Sequence, residues 1–370
     1  MTARVAPAPQ CWQPRYAMVD GWRGLAALGV VSYHLGLPQW GEFDLGHACV
    51  MMFFVISGYC IAASCESCRV HKISPAAYMW RRIRRIYPPY LFSLCFFAVT
   101  RIVKLHSGMG NQISTSLLAW IQNVTMTQWF SLVLHPARHA FDNQTLFVAG
   151  YWSLNYEEQF YVVMGLILFT TAYFKKSMLV AITAIMVPAF LWNLYRPLVS
   201  HGFFWEYWVA FGLGALVFFR LCKLHDRSKR NLIDLGILAL LVFSMCGYYT
   251  AHAYAGRWQY SEWIVTSGFA LVLILLRRWD ARYKASKWMV LSSLGLISYS
   301  LYLTHQFNLR SSSIVAAKLI SWGFPQYLEF PVRLVLVCAV GGGFWYFCER
   351  PFLNQPPVSK SAGYRLEAAA

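Results

Sequence analysis

The chain has 370 residues, of which 58% are hydrophobic and only 13% charged. A soluble domain is roughly 45–50% apolar and roughly 25% charged, so this chain has too few polar residues to cover a water-facing globule and is too apolar to be disordered. Its scarce charge is lopsided, with 32 Lys and Arg against 15 Asp and Glu for a net +17; that fits an all-α, polytopic membrane bundle whose basic loops lie on one side.

A membrane-crossing helix needs about 20 mostly apolar residues. In chain order, ten segments are predicted to span: 20–37, 45–63, 86–103, 152–173, 177–195, 204–219, 232–249, 262–276, 289–309 and 328–347. A further apolar stretch, 113–133, contains Gln, Asn and Thr and reads as interfacial or re-entrant. Ten spans put both termini on one side. With both ends cytoplasmic, twenty-three basic residues fall on inner segments and eight on the outer side, with Arg23 left inside the first span. Making 113–133 a full span would invert every later segment and put the basic cluster at 220–230 outside. The domain organisation that follows is a cytoplasmic N-terminal segment at 1–19, one membrane domain at 20–352 and a short cytoplasmic tail at 353–370.

The first 17 residues are Pro-rich and lack the apolar stretch of a cleavable signal peptide. No P-loop, GxGxxG or HExxH pattern is present, which removes nucleotide hydrolysis and zinc-protease chemistry. Cys65-Glu-Ser-Cys68 is a lone CxxC without a second pair, so reduced structural thiols are expected and no metal. Topology absorbs most of the positive excess, and no nucleic-acid partner is needed to explain it.

Ionisable groups inside apolar spans are costly and mark function first. In the first span, Arg23 and His34 stand eleven residues apart, three turns plus about 20°, on one face and roughly 16 Å apart along the axis. Asp20 is placed at i−3 to pair with Arg23, and Gly24 and Ala27 allow another helix to approach closely. The polar stripe fits a cation near the inner face and a titratable imidazole deeper in; the structural alternative is an interfacial Asp–Arg anchor and a hydrogen-bonded histidine. In the second span, Ser57-Gly58 offers a hydroxyl and a close helix contact, which is ordinary packing.

At the inner end of the third span, Arg81, Arg82, Arg84 and Arg85 precede Tyr87-Pro88-Pro89-Tyr90. The guanidinium fork suits phosphate oxygens. Plain positive-inside charge or contact with anionic lipid explains the same cluster. Pro88 and Pro89 are placed to start or kink the helix. Two carboxylates, Glu157 and Glu158, open the fourth span. Asn155 and Glu158 match a capping box, which leaves Glu157 to pair with an imidazole or a substrate hydroxyl. In the ninth span Ser298, Tyr302 and His305 share a face at i, i+4 and i+7, consistent with a polar cavity or with a hydrogen-bonded structural histidine.

Together these residues resemble the acyltransferase-3 family of integral membrane O-acyltransferases. The likeness runs from Asp20 to Phe352. It rests on Arg23-x10-His34, Phe53-Phe-Val-Ile-Ser-Gly58, Arg82-x-x-Arg85-Ile-Tyr-Pro88, Trp152-Ser-Leu with Glu157-Glu-Gln-Phe-Tyr161, Ser298-Tyr-Ser-Leu-Tyr-Leu-x-His305, and Glu349-Arg-Pro-Phe352. Trp22 and Asn155-Tyr156 depart from the usual pattern without removing an ionisable group, and the extra esterase-like domain of some members is absent from the sequence.

The resemblance implies transfer of an acyl group, most often acetyl, from cytoplasmic acyl-CoA to a hydroxyl of an envelope or exported carbohydrate; some bacterial members acylate small molecules. It implies that Arg23 and His34 are needed for activity and that Arg82 and Arg85 serve the acyl donor, with Arg81 and Arg84 beside them. A bacterial cytoplasmic (inner) membrane location follows. His34 is expected to act as base on the acceptor hydroxyl or as a covalent acyl carrier. Glu157 and His305 are candidates to orient His34 or the acceptor, with Asp20, Ser57, Glu158 and Tyr302 as further polar site residues. The competing expectation is a transporter or flippase using His34, Glu157 and His305 as a relay. Inverted repeats would favour it, and the sequence shows none.

Overall fold

Long apolar runs in lipid must satisfy every backbone group internally, which leaves the helix as the element for a chain of this pattern. The computed structural model describes residues 16–37, 44–106, 116–134, 147–174, 177–195, 202–251 and 254–353, and among these there is no strand. The helices are α1 (Ala17–His34), α2 (Leu45–Val70), α3 (Pro75–His106), α4 (Leu117–Thr125), α5 (Gln128–Leu134), α6 (Trp152–Tyr173), α7 (Met178–Tyr195), α8 (Trp208–Cys222), α9 (Arg227–Thr250), α10 (Tyr254–Leu276), α11 (Asp280–Lys284), α12 (Val290–Leu296), α13 (Ser298–Ser321) and α14 (Glu329–Phe344). A π-helical turn at Trp345–Glu349 and a 3-10 turn at Arg350–Phe352 follow.

Among the described residues, six stretches are long and apolar enough to cross a membrane: Leu45–Val70, Pro75–Val103, Met178–Tyr195, Arg227–Thr250, Arg257–Lys284 and Gln326–Phe352. Their outward faces carry exposed Leu235, Val242, Phe243, Val335 and Phe347, the side chains that lipid rather than protein would cover. The chain is therefore an all-α polytopic membrane protein. The three helices that carry most of the intramembrane polar residues, α1, α6 and α13, fall outside the six because those residues lower their hydropathy.

The central packing is close. A Cβ on Gly214 of α8 would lie 1.8 Å from the Val55 carbonyl oxygen of α2, so these backbones touch where only glycine fits. Likewise α12 presses on α1: a Cβ on Gly295 would lie 1.9 Å from the Asp20 carbonyl oxygen. Gly24 faces Leu291 across the same contact, which is the close approach its small size suggests.

Ion pairs define two ends. At the basic end, Glu66 of α2 holds both Arg69 and Lys223 at 2.7 Å. Asp280 accepts from the Met18 backbone N–H at 3.0 Å and pairs with Arg277 and Lys284. Arg220 grips Asp234 through two N–H groups, at 2.9 and 2.7 Å. At the opposite end, the C-terminus of α1 meets the N-terminus of α2 through the Tyr33 hydroxyl and Asp44, 3.4 Å apart.

Several sequence expectations change. The stretch predicted as one ninth span is two helices, α12 and α13, parted at Ile297; the close seat of Gly295 against α1 lies just before the break. The third span starts earlier than predicted and runs unbroken through Pro88 and Pro89, so the arginine cluster sits on a helix rather than before one. Segment 113–133 forms the short helices α4 and α5, parted by left-handed Met126 at φ 53°; nine residues cover about 14 Å, too short to cross. Most of segments 1–19 and 353–370 lies outside the described residues.

Candidate active site

Two polar stripes, one on α1 and one on α13, face each other. Arg23 lines a partly open cavity with Ser298 and Tyr302, while three turns on, the His34 ring lies 5.0 Å from the His305 ring. The helical spacing on each chain segment thus places a cation at one level and an imidazole at another, on faces that meet. Tyr302 connects the levels: it lines the cavity, and its ring lies 5.8 Å from that of His305. Ser153 of α6 joins it by a hydroxyl–hydroxyl hydrogen bond of 2.6 Å.

The cavity is lined by three guanidinium groups, those of Arg23, Arg82 and Arg85, against the single carboxylate of Glu157. That carboxylate already accepts from Ser57 at 3.1 Å and from Tyr161 at 2.5 Å. Arg82 lies over the rings of Tyr78 and Tyr161, 5.5 Å from each centroid, a stacking that holds the fork without occupying its donors. The Nε groups of Arg23 and Arg82 are buried without a hydrogen-bond partner. A buried donor left unmade costs about 1–3 kcal/mol, more when charged. An arrangement that keeps unmet cationic donors around a cavity is organised to receive an anion.

The structure separates the four arginines of the cluster. Arg82 and Arg85 turn inward to the cavity, and Arg81 and Arg84 are exposed. Glu158 is not part of a capping box, because α6 begins at Trp152 and places it inside the helix. It instead accepts from the Tyr87 hydroxyl, and its second oxygen is buried without a partner. Glu157 sits in the arginine cavity rather than beside His34.

His305 is buried, with Nδ1 2.7 Å from the Tyr302 carbonyl oxygen. A carbonyl only accepts, so Nδ1 carries the proton. In the neutral ring the lone pair is then on Nε2, which is buried and unpartnered. This fixes the tautomer and orientation of the ring that faces His34. His34 itself is half-buried.

Sequence reasoning missed Tyr161 and Ser153 as parts of the cavity; each is a hydroxyl one or two turns from a residue it did single out. It also missed the His47–Glu262 pair, 2.6 Å apart, whose members lie 215 residues apart in the chain and share no local pattern.

The fold and the cavity define a polytopic membrane protein built around an intramembrane polar site, cationic at one level and imidazole-bearing at another. The chain belongs to the acyltransferase-3 family, whose acyltransferase domain model matches residues 16–348. It is similar to O-acetyltransferase OatA of Staphylococcus aureus, 26% identical over 80% of this chain and 51% of that protein. YrhL of Bacillus subtilis, provisionally named a peptidoglycan O-acetyltransferase, is 26% identical over 91% of this chain and 55% of its own length. BcsY of Komagataeibacter xylinus, provisionally named a membrane-bound transacylase, is 26% identical over 81% of this chain and 77% of its own length. The chain spans about half the length of the first two. No solved structure matches it.

Proposed function

We propose that this protein transfers an acyl group, acetyl in the first instance, from an acyl-CoA arriving at the basic end to a hydroxyl of an envelope carbohydrate at the opposite end. The basic end is then cytoplasmic, with both termini on that side of a bacterial inner membrane. The observation that carries the reading is the arginine cavity, with its unmet guanidinium donors, joined through Tyr302 to the His34–His305 pair. The phosphates of CoA match three guanidinium groups. The extended pantetheine arm suits the roughly 16 Å that eleven helical residues put between Arg23 and His34. The family membership and the relatives' names support the same chemistry.

In this reading His34 takes the proton of the acceptor hydroxyl as its oxygen attacks the thioester carbonyl. The carbon–sulfur bond breaks, and CoA leaves as thiolate, which takes up the proton that His34 releases. His305, its Nδ1 proton held by the Tyr302 carbonyl, orients the His34 ring. Glu157 holds Ser57 and Tyr161 in place and offsets part of the guanidinium charge before the donor arrives.

The test uses the full chain in proteoliposomes with radiolabelled acetyl-CoA and peptidoglycan glycan strands. Wild type is expected to label the glycan, and His34→Ala to leave it unlabelled. Labelling that persists in His34→Ala removes His34 as the base.

A further inference from the structure

A second cavity lies between α2 and α10, at the end of the molecule opposite the basic cluster. Asp44, His47, Arg257, Trp258, Ser261 and Glu262 line it. Its make-up differs from that of the arginine cavity. The His47 Nε2 and Glu262 carboxylate lie 2.6 Å apart and are largely buried, and the lining sets two carboxylates, Asp44 and Glu262, against the one guanidinium of Arg257. The His47 ring is held by aromatics: Trp152 stacks on it at 5.8 Å and 10°, and Trp258 lies 4.6 Å away at 44°. Asp44 accepts from the His47 backbone N–H at 2.8 Å, which caps α2 and fixes the ring's position.

The cavity adjoins the histidine pair from two directions. Asp44 contacts the hydroxyl of Tyr33, the residue before His34. Trp152 precedes Ser153, whose hydroxyl bonds Tyr302, one turn before His305. The Asp44 wall of the second cavity thus lies against the residue that precedes His34, and none of the second cavity's lining residues lines the arginine cavity.

We propose that this second cavity is the acceptor subsite, and that it binds a neutral, hydroxyl-rich sugar ring. The proposal rests on the acyltransferase reading. Aromatic faces pack against the C–H face of a pyranose while carboxylate, imidazole and hydroxyl groups exchange hydrogen bonds with its equatorial hydroxyls. Apolar walls with a few fixed polar groups are the usual form of a ligand site. Two carboxylates against one arginine disfavour a phosphorylated ligand, in contrast to the three arginines of the first cavity. A metal does not account for the acidic groups, because no cluster of three metal-ligating side chains exists among the described residues. Trp258 supplies stacking, Glu262 accepts sugar hydroxyls, and His47 holds Glu262 in place.

The experiment uses the full chain in nanodiscs, with chitotetraose and cellotetraose as neutral sugar probes. Calorimetry without acyl donor is expected to detect binding of at least one probe. Trp258→Ala and Glu262→Gln should each weaken that binding at least tenfold, and Trp258→Phe should restore most of it. In transfer assays the same two variants should raise the acceptor KM by a similar factor, while thermal stabilisation by CoA persists as evidence of an intact fold. The proposal is overturned if neither sugar binds wild type, or if binding is indifferent to Trp258→Ala and Glu262→Gln. Failure of the acyltransferase reading looks different: sugar binding would remain sensitive to these residues, yet no acetyl would move.

Discussion

The two cavities solve opposite electrostatic problems. The one at Arg23, Arg82 and Arg85 gathers cationic groups and leaves donors unmet. The one at His47 and Glu262 joins an imidazole to a carboxylate and clothes them with indole rings. Unmet charge in a low-dielectric interior is tolerable only where a ligand of opposite sign completes it; a paired and stacked site can stand alone and select by shape and hydroxyl pattern. On the proposed reading, the difference suits a charged donor at the first and a neutral acceptor at the second.

The largest expected effect breaks the link between the two. His34→Ala should lower transfer by about 10²- to 10⁴-fold, the usual range for a positioned general base. Thermal stabilisation by CoA should remain, so a variant that loses both activity and stabilisation would place His34 in donor binding instead. Next in size, Arg82→Ala combined with Arg85→Ala should abolish stabilisation by CoA. Each charge-assisted bond is worth about 1.5–3 kcal/mol, and Lys at position 82 should recover little because it lacks the planar fork. Persisting stabilisation in the double alanine variant would move the donor site elsewhere.

A smaller effect separates the cavities physically. Gly295→Val drives a side chain into the Asp20 carbonyl and shifts α1; overpacking of this kind costs about 1–3 kcal/mol. CoA affinity should fall while sugar binding, measured by calorimetry at the α2–α10 cavity, holds. Smallest of all, Arg81→Ala with Arg84→Ala should leave CoA affinity within about threefold, since exposed arginines that meet lipid headgroups contribute about 1 kcal/mol each to membrane attachment. Vesicle flotation on anionic lipid is the measurement that should register it.

The spans were legible because apolar length survives in composition. The polar stripes on α1 and α13 were legible because a charge or imidazole among aliphatic residues has no ordinary reason to be there. Arg82 and Arg85 could not be told from Arg81 and Arg84 by spacing, since both pairs stand at i and i+3; only the neighbours on each face, Tyr78 for Arg82, separate them. The break at Ile297 was hidden because hydropathy averages across a kink. Glu158 looked like part of a cap because the N-cap was read at Asn155, one turn past its place at Tyr151. His47 lies in the first turn of α2 and Glu262 in the third turn of α10, and only tertiary packing brings them together.

The low hydropathy of α1, α6 and α13 has a consequence for biogenesis. An arginine at the centre of a solitary helix costs about 2.5–3.5 kcal/mol to insert. These segments therefore depend on neighbours to stay in the bilayer. Because α12 and α13, against which α1 packs, follow it after all the intervening helices, the first helix must wait, shielded by α2, until they emerge. A block in translation ahead of α12 should leave a species whose leading segment slips back out of the lipid and is cleared by membrane proteases.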